Sequence, residues 1–173
     1  LHSAAKSGDA PNLTKWLKAG AKPNSVLDDT HNTPLHKAAA KGHAACVAIL
    51  LKEGANANAA NEKDNLPAHI AAKNGYEQVA TLLKAPTKLT KCNKKGETPF
   101  FIAATNLHTD MLTTFFIDGI INKKNESGDT VLHAVLKKVT SEAYYLEANK
   151  MPALLQAAEK TVSFLIENGA LVH

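Results

Sequence analysis

One feature limits what this chain can fold into more than any other: the same residues return about every 33 positions. Leu1-His2, Leu35-His36, Ala68-His69, Phe100-Phe101 and Leu132-His133 follow one another at steps of 34, 33, 32 and 32 residues. Six residues beyond each second position stand Gly8, Gly42, Gly75 and, in the fourth instance, Leu107. Twelve further on come Gly20, Gly54 and Gly119, with Pro86 one place early in the third. A period of this length marks an array in which each repeat is one supersecondary unit. The units read as 1–32, 33–65, 66–97, 98–129 and 130–173.

The second unit is the most explicit. Thr33 is suited to cap a helix through its hydroxyl, and Pro34 fits the first turn, where a missing N–H costs nothing. Ala38 and Ala39 are small enough for a second helix to approach closely. Gly42 lets the chain turn left-handed, and the helix after it carries an apolar stripe of Cys46, Val47, Leu50 and Leu51. Gly54 ends that helix with a left-handed cap. The polar stretch 56–65 predicts a β-hairpin loop leading to the next unit. Such a unit cannot bury its apolar face alone, so the units must stack.

Thr33-Pro34-Leu35-His36-Lys37-Ala38-Ala39-Ala40-Lys41-Gly42-His43, followed by Leu50-Leu51-Lys52-Glu53-Gly54-Ala55 and Asn58, resembles the ankyrin repeat. The resemblance covers essentially all 173 residues, strongest in the second unit and degenerate in the fourth and fifth. It implies an all-α fold, a solenoid of about five helix-turn-helix repeats with hairpin loops along one edge. It further implies that loops and first helices form a concave surface gripping a protein partner. In this family the histidine of the Leu-His slot, here His2, His36, His69 and His133, orients loops through bonds to backbone and to the Thr hydroxyl. The resemblance also makes Asn58 a candidate for β-hydroxylation, with Asn24 and Asn122 in the same slot. A purely structural role stands beside it, because Asn tolerates left-handed turns and bonds its own backbone.

Composition narrows the chemistry. All 20 basic residues are lysine, against 16 acids, for a net charge of +4. Without the planar fork of arginine, base readout and bidentate phosphate clamping lose their usual residue, which argues against a nucleic-acid partner. No apolar run approaches the ~18–20 residues of a membrane span, and no basic-then-apolar leader opens the chain. Cys46 and Cys92 share no metal-type spacing and are too few for a disulfide framework, which favours a reducing, cytoplasmic setting. Cys46 falls on an apolar helix stripe as core filler, and Cys92 reads as a surface thiol between Lys91 and Lys94. The four slot histidines, with His43 and His108 after the inter-helix turn, are accounted for by the repeat. Equivalent ones lie about 8–10 Å apart, too far to share a zinc ion. No nucleophile elbow, P-loop or dinucleotide fingerprint occurs, so no catalytic residue, metal or cofactor is expected here.

The last two units depart from the pattern. Unit four has Phe100-Phe101 for Leu-His, Leu107 for the turn glycine, and Ile117, Ile120 and Ile121 where polar or small residues are usual. Loss of the histidine predicts a displaced loop around 93–97, and the added apolar groups need cover. In unit five, 36 residues separate His133 from Gly169, against 18 between His36 and Gly54, an insertion of 18. Helical spacing persists in Leu132, Val135, Leu136, Val139, Ala143 and Leu146, and again in Leu154, Leu155, Ala158, Val162, Leu165 and Ile166. This predicts two lengthened helices joined near 149–152, Asn149 stopping the first and Pro152 opening the second. A break near Thr140-Ser141 is the alternative. Of Tyr144 and Tyr145, one is expected to pack on Phe116 or Ile117 and the other to be exposed.

Lys6, Lys41, Lys73 and Lys137-Lys138 fall at the exposed ends of first helices, and Lys63, Lys94 and Lys95 lie in loops. A lysine ladder at repeat spacing predicts an acidic protein partner, although Asp28, Asp29, Glu126 and Asp129 dilute it. Tyr144, Tyr145 and Met151, near the tip of the insertion, are further contact candidates. The chain starts and stops inside a unit without a polar capping repeat, which predicts a piece of a longer protein. The rival readings are a recruiting array of a larger enzyme or pathogen effector, working in a host cytosol, and a structural spacer.

Overall fold

A computed structural model describes residues 1–26, 29–147 and 150–171. The roles read for Asp28 and Asn149 fall outside those residues. Ten α-helices and one 3-10 turn account for the regular structure described: α1 (His2–Ser7), α2 (Ala10–Lys18), α3 (Pro34–Ala39), α4 (Ala44–Lys52), α5 (Pro67–Asn74), α6 (Glu77–Lys84), α7 (Pro99–Thr105), the 3-10 turn Thr109–Met111, α8 (Leu112–Phe115), α9 (Val131–Tyr145) and α10 (Met151–Glu167). Pro34, Pro67 and Pro99 each occupy a first turn, and an extended Thr33, Leu66 or Thr98 precedes them. First helices stack as α1, α3, α5, α7, α9, and second helices as α2, α4, α6, α8. The alanine pairs Ala38-Ala39, Ala71-Ala72 and Ala103-Ala104 are all buried, so small side chains set the distance between the two layers.

Each junction between the first four units is closed by a ring over a turn. His43, Tyr76 and His108 cover Gly8, Gly42 and Gly75, so closely that a Cβ on those glycines would stand 2.6–2.7 Å from a ring atom. All three glycines also have φ near +75°. Leu107, at the same place in unit four, keeps a positive φ of 58°. The following unit sends no ring over it, because α9 continues where a turn would come. Glycine is thus favoured twice over in the first three units, by backbone and by the ring, whereas in the fourth only the backbone favours it and Leu107 is accommodated.

The long helices of unit five are as expected. Helix α9 runs unbroken through Thr140 and Ser141, where the Thr140 hydroxyl donates back to the Leu136 and Lys137 carbonyls. Cover for unit four comes from α10 by another residue than foreseen. Phe164 closes a three-ring cluster with Phe100 and Phe116, centroids 5.7–6.4 Å apart. Tyr144 and Tyr145 are both exposed, at 83% and 82%, and stack edge-on against each other. The projecting hairpin carries them beyond the array, so neither reaches Phe116 or Ile117. The second helix of unit four is reduced to the 3-10 turn and the four residues of α8. Its apolar residues Met111, Leu112 and Phe115 are buried nonetheless.

The loops are tight fingers rather than strands, since no strand occurs among the described residues. Each finger closes on itself through Asn61 N–H to the Asn65 carbonyl, Asn93 to Glu97, and Asn125 to Asp129, at 2.9–3.1 Å. Neighbouring fingers join tip to tip by Glu62 N–H to Thr30, Lys94 to Lys63, and Glu126 to Lys95. These backbone bonds are confined to the tips, and side-chain amides hold the rest, which is why no ladder of strands builds up.

Candidate partner-binding surface

Three asparagines, 32 residues apart, make the fingers rigid. The Asn61 side-chain carbonyl accepts from the Lys63 and Asn65 amides, Asn93 from Lys95 and Glu97, and Asn125 from Ser127 and Asp129. Their own amides reach the preceding finger, Asn61 donating to Asn32 and Asn93 to Asn65. This recurrence is visible in the sequence as Asn at a fixed step of 32, outside the Leu-His and glycine positions that define the period.

The slot histidines brace fingers from below. The His36 Nδ1 accepts from the Thr33 N–H at 3.2 Å and lies 2.9 Å from its hydroxyl, and Nε2 donates to the Asn65 carbonyl at 3.0 Å. His69 repeats this with Leu66 and Glu97. Each histidine therefore orients the finger that closes its own unit. That corrects the expected effect of Phe101: finger 93–97 is held by His69, and the finger lacking a histidine is 125–129, which Asn125 and Glu126 hold instead. Burial pushes the His36 imidazole below its usual range and takes His69 down to about 4. His133 retains the Thr130 contact at 2.7 Å and is exposed. His43 and His108 donate to the Lys6 and Lys73 carbonyls of the preceding unit.

Asn24, Asn58 and Asn122 brace the outer layer. The Asn58 amide donates to the Pro86 carbonyl and its oxygen accepts from Lys88 N–H, at 2.9 and 2.7 Å. Asn24 bridges Gly54 and Asn56 in the same manner, and Asn122 bridges Gly169 and Leu171. Thr90 stands in this slot between units three and four and makes no such bridge.

Lys6, Lys41, Lys63, Lys73, Lys94 and Lys95 are all exposed. Four of them, Lys63, Lys73, Lys94 and Lys95, line one recess of about 420 Å³ between fingers 61–65 and 93–97 and helices α5 and α7. Lys137 and Lys138 differ: Lys137 pairs with Asp129, and Lys138 with Glu142 while donating to the Asn106 oxygen. Among the described residues the one further ion pair is Lys150–Glu147. Tyr144 and Tyr145, with half-buried Met151, sit far along the hairpin, apart from the lysines of units one to three. Cys46 is buried, which raises its thiol pKa, and Cys92 is half-buried with its thiol 3.9 Å from the Thr90 carbonyl. No helix among the described residues is long and apolar enough to cross a membrane.

Stacked helix pairs, ring-covered turns and histidine-braced fingers define a repeat solenoid. The chain belongs to the ankyrin-repeat family, since the family model described as ankyrin repeats (3 copies) matches residues 1–92 and 69–173. Ankyrin arrays are in general non-catalytic protein–protein interaction modules. The chain is similar to the ARF GTPase-activating protein Git of Drosophila melanogaster, 33% identical over 76 residues, 44% of this chain and 10% of that protein. It is 37% identical over 73 residues to the E3 ubiquitin-protein ligase KEG of Arabidopsis thaliana, 42% of this chain and 4% of that protein. It is 38% identical over 79 residues to ankyrin repeat and SOCS box protein 16 of Homo sapiens, 45% of this chain and 17% of that protein. The matched segments are thus a small part of each of these relatives.

Proposed function

We propose that this array recognises an acidic protein partner along its fingers and first helices, in a reducing intracellular compartment. The observation that carries the reading is the state of the lysines. Lys6, Lys41, Lys63, Lys73, Lys94 and Lys95 recur along the array without an ion pair among the described residues, whereas Lys137 and Lys138 are neutralised by their own acids. Unpaired cations at repeat spacing favour encounter with an acidic surface and raise its association rate. The compartment is supported by two free thiols. Asn58 is read as a brace, because both ends of its carboxamide are used between units.

The test takes a partner captured with the full chain and follows association by surface plasmon resonance. Lys41→Glu with Lys73→Glu is expected to slow association about tenfold at low salt and to flatten its salt dependence. Unchanged rates would remove the charge argument. A second reading, recruitment to an activity outside these residues, is supported by relatives that include a GTPase-activating protein and a ubiquitin ligase, of which the matched segments are 10% and 4%.

A further inference from the structure

We propose that the recess between the third and fourth units is a binding site for an extended, acidic protein segment. Its carboxylates would meet Lys63, Lys73, Lys94 and Lys95, and its apolar side chains would rest on Ile70 and Ile102. This rests on the protein-recognition reading above and narrows it to one junction and one ligand chemistry.

Four lysines line the recess against a single acid, Glu97, whose carboxylate already accepts from the Asn93 amide at 3.2 Å. The other polar groups are largely spent within the array. Asn65 Oδ1 accepts from Asn93, Asn106 Oδ1 from Lys138, and the Thr105 hydroxyl donates to the Phe101 carbonyl. What remains is a surplus of donors, chiefly four ammonium groups, so the matching ligand is rich in acceptors and negatively charged. The floor is apolar, with Ile102 buried and Ile70 half-buried. The lysines are spread over two fingers and a helix end instead of converging on one point, which suits several carboxylates better than one phosphate.

An extended chain advances about 6.6 Å every two residues and about 10 Å every three. Carboxylates two or three residues apart therefore match units whose helices lie about 8–10 Å from one another. Single-stranded nucleic acid would call for aromatic platforms beside the cations. The exposed aromatics are instead Tyr144 and Tyr145 at the far hairpin and Trp16 on α2 of the outer layer, and Phe100 and Phe101 are buried. The junction of units four and five lacks this balance: the recess of about 520 Å³ bordering His133 and Leu171 sets Lys124 against Asp129.

The probe is a fluorescein-labelled decapeptide of alternating Glu and Val, titrated with the full chain and read by fluorescence anisotropy at low and physiological salt. Its Gln-for-Glu counterpart is the control. Binding at least tenfold tighter for the Glu peptide is expected. The triple variant Lys63→Ala, Lys94→Ala, Lys95→Ala should lose about tenfold in affinity, and Lys15→Ala, Lys18→Ala, Lys52→Ala on the outer helices should lose less than twofold. All six positions are exposed, and circular dichroism checks that the fold is kept. Equal affinity for the two peptides, no binding of the Glu peptide, or equal losses in the two triple variants would overturn the proposal. If the captured partner still responds to Lys41→Glu while the recess variants leave it unaffected, the recess proposal fails and the broader reading stands.

Discussion

Units two and three and units four and five solve the same stacking problem with different parts. In the former, junctions are built from small polar pieces: a histidine under the next finger, an aromatic ring over a bare glycine, and an asparagine bridging neighbouring turns. In the latter, histidine gives way to Phe101, glycine to Leu107, and the outer layer is closed by the Phe100–Phe116–Phe164 cluster and two long helices. The comparison teaches that the turn glycine and the bridging asparagine answer to the neighbouring unit. Where the neighbour changes shape, the constraint on the residue disappears with it. Leu107 is permitted because α9 sends no ring over it.

That dependence should be largest at Gly42. A Cβ there would lie 2.6 Å from Tyr76 Cδ1, on a backbone at φ +73°. Left-handed strain of about 1–2 kcal/mol and overpacking of about 1–3 kcal/mol add up, so Gly42→Ala should cost about 2–5 kcal/mol in urea unfolding. Pairing it with Tyr76→Ala should recover the overpacking part. If the double variant is no better than the sum of the two single ones, the ring is not what demands glycine.

The histidine brace gives the second largest effect, and its sign is set by protonation. Unfolded His69 titrates near 6.5 and folded His69 near 4, so between these values the unfolded chain holds more protons. Stability is therefore fully present above pH 6.5 and falls as pH drops towards 4, by about 3 kcal/mol from this residue at 1.36 kcal/mol per pH unit. His36 adds in the same direction. His69→Gln, neutral throughout, should lower stability at pH 7 and flatten the acid slope. An equally steep slope in the variant would place the titration elsewhere. Phe101 has no counterpart to this behaviour, so acid should loosen the second and third units before the fourth, as amide hydrogen exchange can resolve.

For the other half of the comparison, Phe164→Ala removes two ring contacts and opens space above Phe100 and Phe116. A loss of about 2–3 kcal/mol is expected, below the usual cost for a fully buried Phe because this ring is half-buried. The unfolding transition should broaden as unit five separates from the array. A single sharp transition with little loss would mean that α9 alone carries the junction.

The architecture was legible because Thr33, Pro34, His36, Gly42 and Gly54 recur at fixed spacing, so local chemistry repeated is enough to read them. What stayed hidden is which distant group each residue meets. His69 bonds Glu97, 28 residues on, and the repeat spacing alone does not say whether a histidine holds the finger before it or the one after it. Lys137 falls at a rung of the ladder by register, and only the fold brings it to Asp129, in the finger before α9. The tyrosines were misplaced because helical spacing gives faces but not how far a hairpin projects, and Phe164 lay nearer to the gap. The Asn61–Asn93–Asn125 series could have been found by the same self-comparison extended to every polar position.

The smallest predicted effect concerns a part that one junction lacks. Asn24, Asn58 and Asn122 each donate to a carbonyl and accept from an amide two residues beyond it, at the end of the following second helix. Gly54, answering to Gly119 in unit four and Gly169 in unit five, fixes where those groups lie, so the pair missing a brace is the Gly119 carbonyl and the Ile121 amide. Thr90 occupies the bracing position and is exposed, and its single hydroxyl cannot span both groups as a carboxamide does. Thr90→Asn should therefore stabilise the array by about 1 kcal/mol, the net value of an added hydrogen bond or two at a half-exposed site. Asn58→Ala should cost about as much at its own junction. Both are read from urea midpoints at constant slope, with Thr90→Gln as control, since its longer side chain displaces the amide from the bridging position. Equal gains for Asn and Gln would mean that any carboxamide in contact with water there stabilises the array without bridging; a gain for Asn alone would show that the third and fourth units still keep the spacing of the regular ones.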